Sequence, residues 1–128
     1  MKKLLFTLLL FTCALIGNAQ NSEKSYFADG IEYITISPTE SDIHQWTEKH
    51  EKICREKIQP LKINFEIYPD LIEEHPCLVY LILTSKSLEE EEKQQWFDLY
   101  SLMNKEQIMK LYVILYKEHY KLAELNSK

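Results

Sequence analysis

From residue 37 onward, apolar positions fall mostly at helical spacing, and the polar residues between them supply the caps. "SPTE" places Ser37 as a helix N-cap, Pro38 at the first helical position and Glu40 at N3, so side chains meet two otherwise unpaired amides. Ile43, Trp46, Ile53 and Cys54 then recur on one face, which predicts a helix ending near Ile58, just before Pro60. "LKINFEIY" (61–68) alternates apolar and polar residues and predicts a half-buried strand stopped by Pro69. "HPCLVYLILTS" is a continuous apolar run, which fits a buried strand or a buried helix equally. Pro76 in a first-turn position and the run-on into a capped helix favour a short helix.

Two further helices follow. Ser87 and Glu90 form a second capping box, and the glutamates of 89–92 complement the positive end of the helix dipole. This helix carries Trp96, Leu99, Tyr100 and Met103 on one side. Asn104 caps the last helix with Gln107 at N3, and Met103 and Ile108 take the positions of a hydrophobic staple. A single tight turn between the two predicts a helical hairpin. Upstream, "IEYITI" (31–36) reads as a short strand preceded by a loose polar arm, "QNSEKSYFADG". The expectation is a mainly α, small helical domain with a C-terminal helical hairpin and one or two short strands, with α+β as the alternative.

Residues 1–19 interrupt this pattern. Lys2 and Lys3 precede an apolar run from Leu4 to Ile16, and Gly17-Asn18-Ala19 supplies the small residues of a cleavage site. The run is shorter than the ~20 residues needed to span a bilayer, so it predicts a cleaved export signal and no membrane span. Lipidation at Cys13 is the competing reading, but Thr12 stands where a small residue normally precedes the lipidated cysteine. The division expected is signal 1–19, arm 20–36 and one helical domain over 37–128, in the periplasm or outside the cell.

The whole chain carries a formal charge of −5, and removing two lysines and no acid with the signal takes it to −7. An acidic chain grips neither a nucleic-acid backbone nor an anionic membrane surface well. Beyond residue 19 the only glycine is Gly30, so glycine-rich phosphate loops are excluded.

"WFDLYSLMNKEQIMKLYVILYKEHYKLAEL" (96–125) resembles a helical-hairpin module of uncharacterised exported bacterial proteins. In that module a W-x-x-L helix is followed by E-Q-x-x-K-L-x-x-I-L. The matching residues are Trp96, Leu99, Glu106, Gln107, Lys110, Leu111, Ile114 and Leu115. Some such proteins continue into tetratricopeptide-like arrays. The resemblance covers about a quarter of the chain and implies no activity.

"HEKIC" (50–54) has a metalloprotease flavour, because His50 and Cys54 share a helix face with Glu51 between them. No third ligand follows at a familiar interval, and His44, His75 and His119 are scattered. His50 also falls on the face of Trp46 and Ile53, so a core-edge histidine is the preferred reading, with no metal and no cofactor. A Cys–His nucleophile would need an electropositive, exposed thiolate, and both mature cysteines sit in apolar helical settings. In an oxidising compartment Cys54 and Cys77 are instead a candidate disulfide, worth about 3 kcal/mol across its loop, against two buried free thiols. The run Glu89–Glu92 lacks the alternating oxygens and central glycine of a calcium loop.

The last helix has a wider apolar arc than a surface helix requires. Beside Ile108, Leu111, Tyr112, Leu115 and Leu122 runs a second stripe of Met109, Val113, Tyr116 and Tyr120. That stripe is either covered within the monomer, the favoured reading, or is a candidate interface. The function expected is an exported, non-catalytic protein-binding or scaffolding module with a protein partner. A secreted inhibitor or immunity-type protein that blocks a toxin or protease is the alternative, its acidic charge steering it to a basic enzyme.

Overall fold

In a computed structural model, the structure describes residues 24–128, so the export signal expected at 1–19 lies outside the described residues. Among the described residues the order is β1 (Tyr26–Ala28), β2 (Ile31–Tyr33), α1 (Glu40–Leu61), a 3-10 turn (Lys62–Asn64), α2 (Pro69–Glu74), α3 (Pro76–Leu83), α4 (Glu90–Leu99), a second 3-10 turn (Tyr100–Leu102) and α5 (Lys105–Asn126). The fold is mainly α, a small helical domain with one two-stranded antiparallel sheet.

The ambiguous run resolves as a helix and forms the centre. Every residue of α3 is buried, so it is apolar on all sides and α1 and α5 pack around it. α4 also leans on α3, and its one fully buried side chain is Phe97, whose ring meets Phe65 edge-on at 5.7 Å. Leu99, placed on the packed side by the sequence, is instead 42 % exposed, and Trp96, Tyr100 and Met103 are half-buried.

Two helices start later than their sequence signals. α1 is capped by Thr39, whose Oγ1 accepts the Asp42 amide at 3.1 Å while Asp42 Oδ2 accepts the Thr39 amide at 2.9 Å. Ser37 is left outside because its amide donates to Thr35 Oγ1, closing the turn that leaves β2. α4 starts after Glu89, whose amide donates to Glu92 at 2.8 Å. Ser87 is unavailable as a cap, because its amide and hydroxyl both donate to the Glu118 carboxylate of α5. α1 also runs past its expected end, through Pro60 to Leu61. In an exposed last turn the ring removes one hydrogen bond whose carbonyl can turn to water.

No strand forms at 61–68. Residues 62–64 coil into the 3-10 turn, and only the stretch after it is extended, with Phe65 at φ −129° and ψ 153°. Phe65 and Ile67 turn inward and Glu66 and Tyr68 outward, so the alternation was real, but no strand lies alongside. Gln94 stands in for one: its Oε1 accepts the Glu66 amide at 2.9 Å and its Nε2 donates to the Glu66 carbonyl at 2.8 Å.

The arm expected to be loose carries the hairpin. Asp29 and Gly30 have φ of 56° and 81°, the left-handed pair that suits a two-residue turn, and Ala28 pairs with Ile31 across it. Ile31 and Tyr33 of β2 are fully buried. Large side chains such as Tyr33, Trp46, Tyr116 and Phe97 each contribute about 1.5–3 kcal/mol when buried, so this arm belongs to the core.

Candidate partner-binding groove

The residues singled out in the sequence divide sharply. His50 is buried, and both of its nitrogens are used. Nδ1 lies 2.9 Å from the Trp46 carbonyl, which can only accept, so Nδ1 carries the proton. Nε2 therefore accepts, and it takes the Glu32 amide at 3.2 Å. Glu51, the would-be base, is in an ion pair with Arg55 at 2.7 Å. "HEKIC" is a packed helix. Among the described residues no group of three His, Cys, Asp or Glu side chains is placed to hold a metal ion.

Cys54 and Cys77 are buried free thiols, side by side where α1 and α3 pack. The Cys54 thiol beside it, reinforced by burial, pushes the Cys77 thiol far above the ordinary value. Cys77 Sγ also points to the Thr47 carbonyl at 3.7 Å. A thiol held protonated in this way is a poor nucleophile.

The second stripe of the last helix is not a free surface as a whole. Tyr116 is 2 % and Tyr120 5 % exposed, because the N-terminal hairpin lies over them. The Ile34 amide donates to the Tyr116 hydroxyl at 2.6 Å, and the Tyr120 hydroxyl donates to the Lys24 carbonyl at 2.8 Å. Tyr26 meets Tyr120 edge-on at 5.4 Å. Two of the four candidate interface residues are therefore core. The helix has a wide apolar arc because three elements cover it: α3, α1 and the hairpin. Val113 and Met109 are both half-buried against the core.

Met109 lines a groove of about 420 Å³ between the first half of α1, the α2–α3 junction and the start of α5. Ile43, Pro76, Cys77, Ile108, Met109 and Tyr112 make its apolar floor, and Glu40, Glu48, Glu51 and Glu74 stand around it against one lysine, Lys105. Local folding explains each wall. Glu40 is acidic in the first turn of α1, where the dipole favours it. Ile43 and Glu48 are set by the helical period, and Asn104 starts α5 so that Lys105, Ile108 and Met109 face inward.

His75, at the α2–α3 junction, contacts Tyr100 and Tyr112 edge-on at 6.1 and 5.9 Å. Burial holds its imidazole below the ordinary value, with Glu74 opposing in part. Tyr100 donates to Glu74 at 2.7 Å, and burial together with that carboxylate pushes its phenol up to about 12. The arrangement offers a concave apolar surface with a negative rim, suited to recognition of a cationic segment.

Of the groove, the sequence reading had named only Met109 as an interface residue. The rest comes from three separated segments, none of which carries a local sign that it meets the others. No spacing rule joins Glu48 to Glu74 or His75. Comparison with family models, with curated proteins and with solved structures finds no match to this chain.

Proposed function

We propose that the protein is an exported, non-catalytic protein-binding module whose contact surface is the groove between α1, the α2–α3 junction and α5. The observation that carries this reading is the groove itself, about 420 Å³ of concave apolar floor inside a glutamate rim. Apolar floors supply affinity, and rim charges supply orientation and encounter rate. The groups nearest to chemistry support binding over catalysis: His50 has both nitrogens engaged, and Cys77 is held protonated. Export rests on the pattern of residues 1–19.

The rim favours one second reading, an inhibitor or immunity-type protein that covers the basic site of a toxin or protease. It would use the same surface, with complex formation slowed strongly by salt.

The test is a benzophenone amino acid at position 48 on the rim, with the same group at position 56 on the far side of α1 as control. Irradiation in the protein's natural compartment should give a discrete adduct from position 48 and none from 56. Equal labelling at both positions, or none at 48, overturns the groove as the contact surface.

A further inference from the structure

We infer that the groove's occupant is the basic face of α5 of a second copy, so that chains dock head to tail. The inference rests on the groove being the binding surface. The complement it needs is present on the same molecule. Lys110, Ile114, Lys117, Lys121 and Leu125 follow one another at intervals of three and four, so they share one side of α5. Ile114 is 49 % and Leu125 60 % exposed, which makes this a lysine-flanked apolar ridge on an otherwise acidic chain. Among the described residues neither Lys110 nor Lys117 is in an ion pair, while Lys121 lies 3.7 Å from Glu124.

The groove is the inverse of this ridge: an apolar floor flanked by carboxylates, with Glu48 in no ion pair among the described residues. Lys110 to Lys121 spans roughly 16 Å of helix, with Ile114 between the ammonium groups. Set over a second molecule's groove, Ile114 meets Ile43, Ile108 and Met109 while the lysines meet the rim. Ile108 and Tyr112 lie on the other side of α5 from Ile114 and Lys117, so one molecule cannot fill its own groove. A contact between two different faces is heterologous and propagates into a ring or an open chain.

The experiment is sedimentation velocity on the exported protein and on two variants. Glu40→Lys with Glu48→Lys reverses the groove rim; Lys110→Glu with Ile114→Glu reverses the ridge. All four positions are exposed, and matched circular dichroism spectra establish folding. The wild type should grow in mean mass with concentration at about 0.01 M salt. It should return to monomer at about 1 M, as the Debye length falls from roughly 30 to roughly 3 Å.

Each variant alone should be monomeric. Their equimolar mixture should associate, because the unchanged ridge of one meets the unchanged groove of the other. The milder Glu48→Gln and Lys117→Gln should each weaken assembly about fivefold. A wild type that stays monomeric at low salt overturns the inference, as does a mixture that stays monomeric or a dimer that survives in both variants. A foreign protein cross-linked at position 48 by a monomeric wild type overturns only the second copy as occupant. The groove as a binding surface then stands.

Discussion

The amide of Glu32 donates to Nε2 of His50, 3.2 Å away, so an imidazole on α1 acts as the hydrogen-bonding neighbour of β2. In a hairpin closed by Ala28 and Ile31, the groups of Glu32 point away from β1. Trp46 completes the edge by donating its indole N–H to the Glu32 carbonyl at 2.8 Å. A two-stranded sheet, marginal by itself, is thereby sealed onto the helices.

This seal should fail in acid. Burial is the main cause holding His50 below its ordinary value of 6.5, with Lys49 adding to it and the Trp46 carbonyl and Glu32 opposing. The unfolded chain therefore binds the proton more readily than the folded one. The contribution is complete above about 6.5 and is lost as pH falls from there towards the lowered folded value, since protonated Nε2 cannot accept from Glu32. His119, stacked on Tyr33 at 5.9 Å, is also held down by burial and loses stability in the same direction. Urea melts at pH 7.5 and 5.5 should show lower stability at the acid value, with the Glu32 amide exchanging early. His50→Ala should cost about 1–3 kcal/mol and flatten part of that pH dependence.

Tyr116 ties the same hairpin to α5, taking the Ile34 amide at 2.6 Å. Tyr116→Phe leaves that donor without its partner and should cost about 1–3 kcal/mol. Tyr116→Ala also opens a cavity and should cost about 3–5 kcal/mol. Denaturant midpoints decide the matter: a Tyr116→Ala protein of unchanged stability would return this residue to the list of interface candidates.

Tyr33 is the opposite case. Among the described residues its hydroxyl is the buried side-chain polar atom without a hydrogen-bond partner, and burial holds the phenol far above its ordinary value. Removing an unpaired buried hydroxyl recovers its desolvation cost. Tyr33→Phe should be neutral or stabilising by up to about 1 kcal/mol, measured by thermal unfolding; a clear loss of stability would mean that the hydroxyl has a partner.

The neighbouring thiols of Cys54 and Cys77 make a bridge testable by mass. Both are free thiols in the structure, so the unreduced protein should keep its mass on reduction. A mass two hydrogens lighter before reduction would mean a bridge, worth up to about 3 kcal/mol. Equal masses before and after reduction mean two buried thiols. In that case Cys54→Ala should cost only the small-cavity penalty of about 1–2 kcal/mol.

Much of the helical framework was written locally. Asn104 and Gln107 cap α5 as read, at 2.8 and 2.9 Å, because a capping box needs only residues three apart. For α3 the local signal was divided: Pro76 favoured a helix, and the unbroken apolar run fitted a strand as well. Burial on every side in the structure shows the helix. The Asp29-Gly30 turn signal was equally local, but the polar residues around it hid the hairpin. Ser87 shows the limit from the other side: its own spacing made it a cap, and Glu118, 31 residues away, took its amide and hydroxyl.

By itself the sequence determined the helical class, the caps of the last helix and the acidic balance, since each depends on neighbours within a turn or two, or on composition alone. Only the tertiary structure decided what covers Tyr116 and Tyr120, that Gln94 stands in for a strand beside Glu66, and that a groove opens where α1, the α2–α3 junction and α5 converge. Those outcomes depend on which distant segment reaches a surface first and satisfies its apolar area or its amides. Residue periodicity carries no information about that competition.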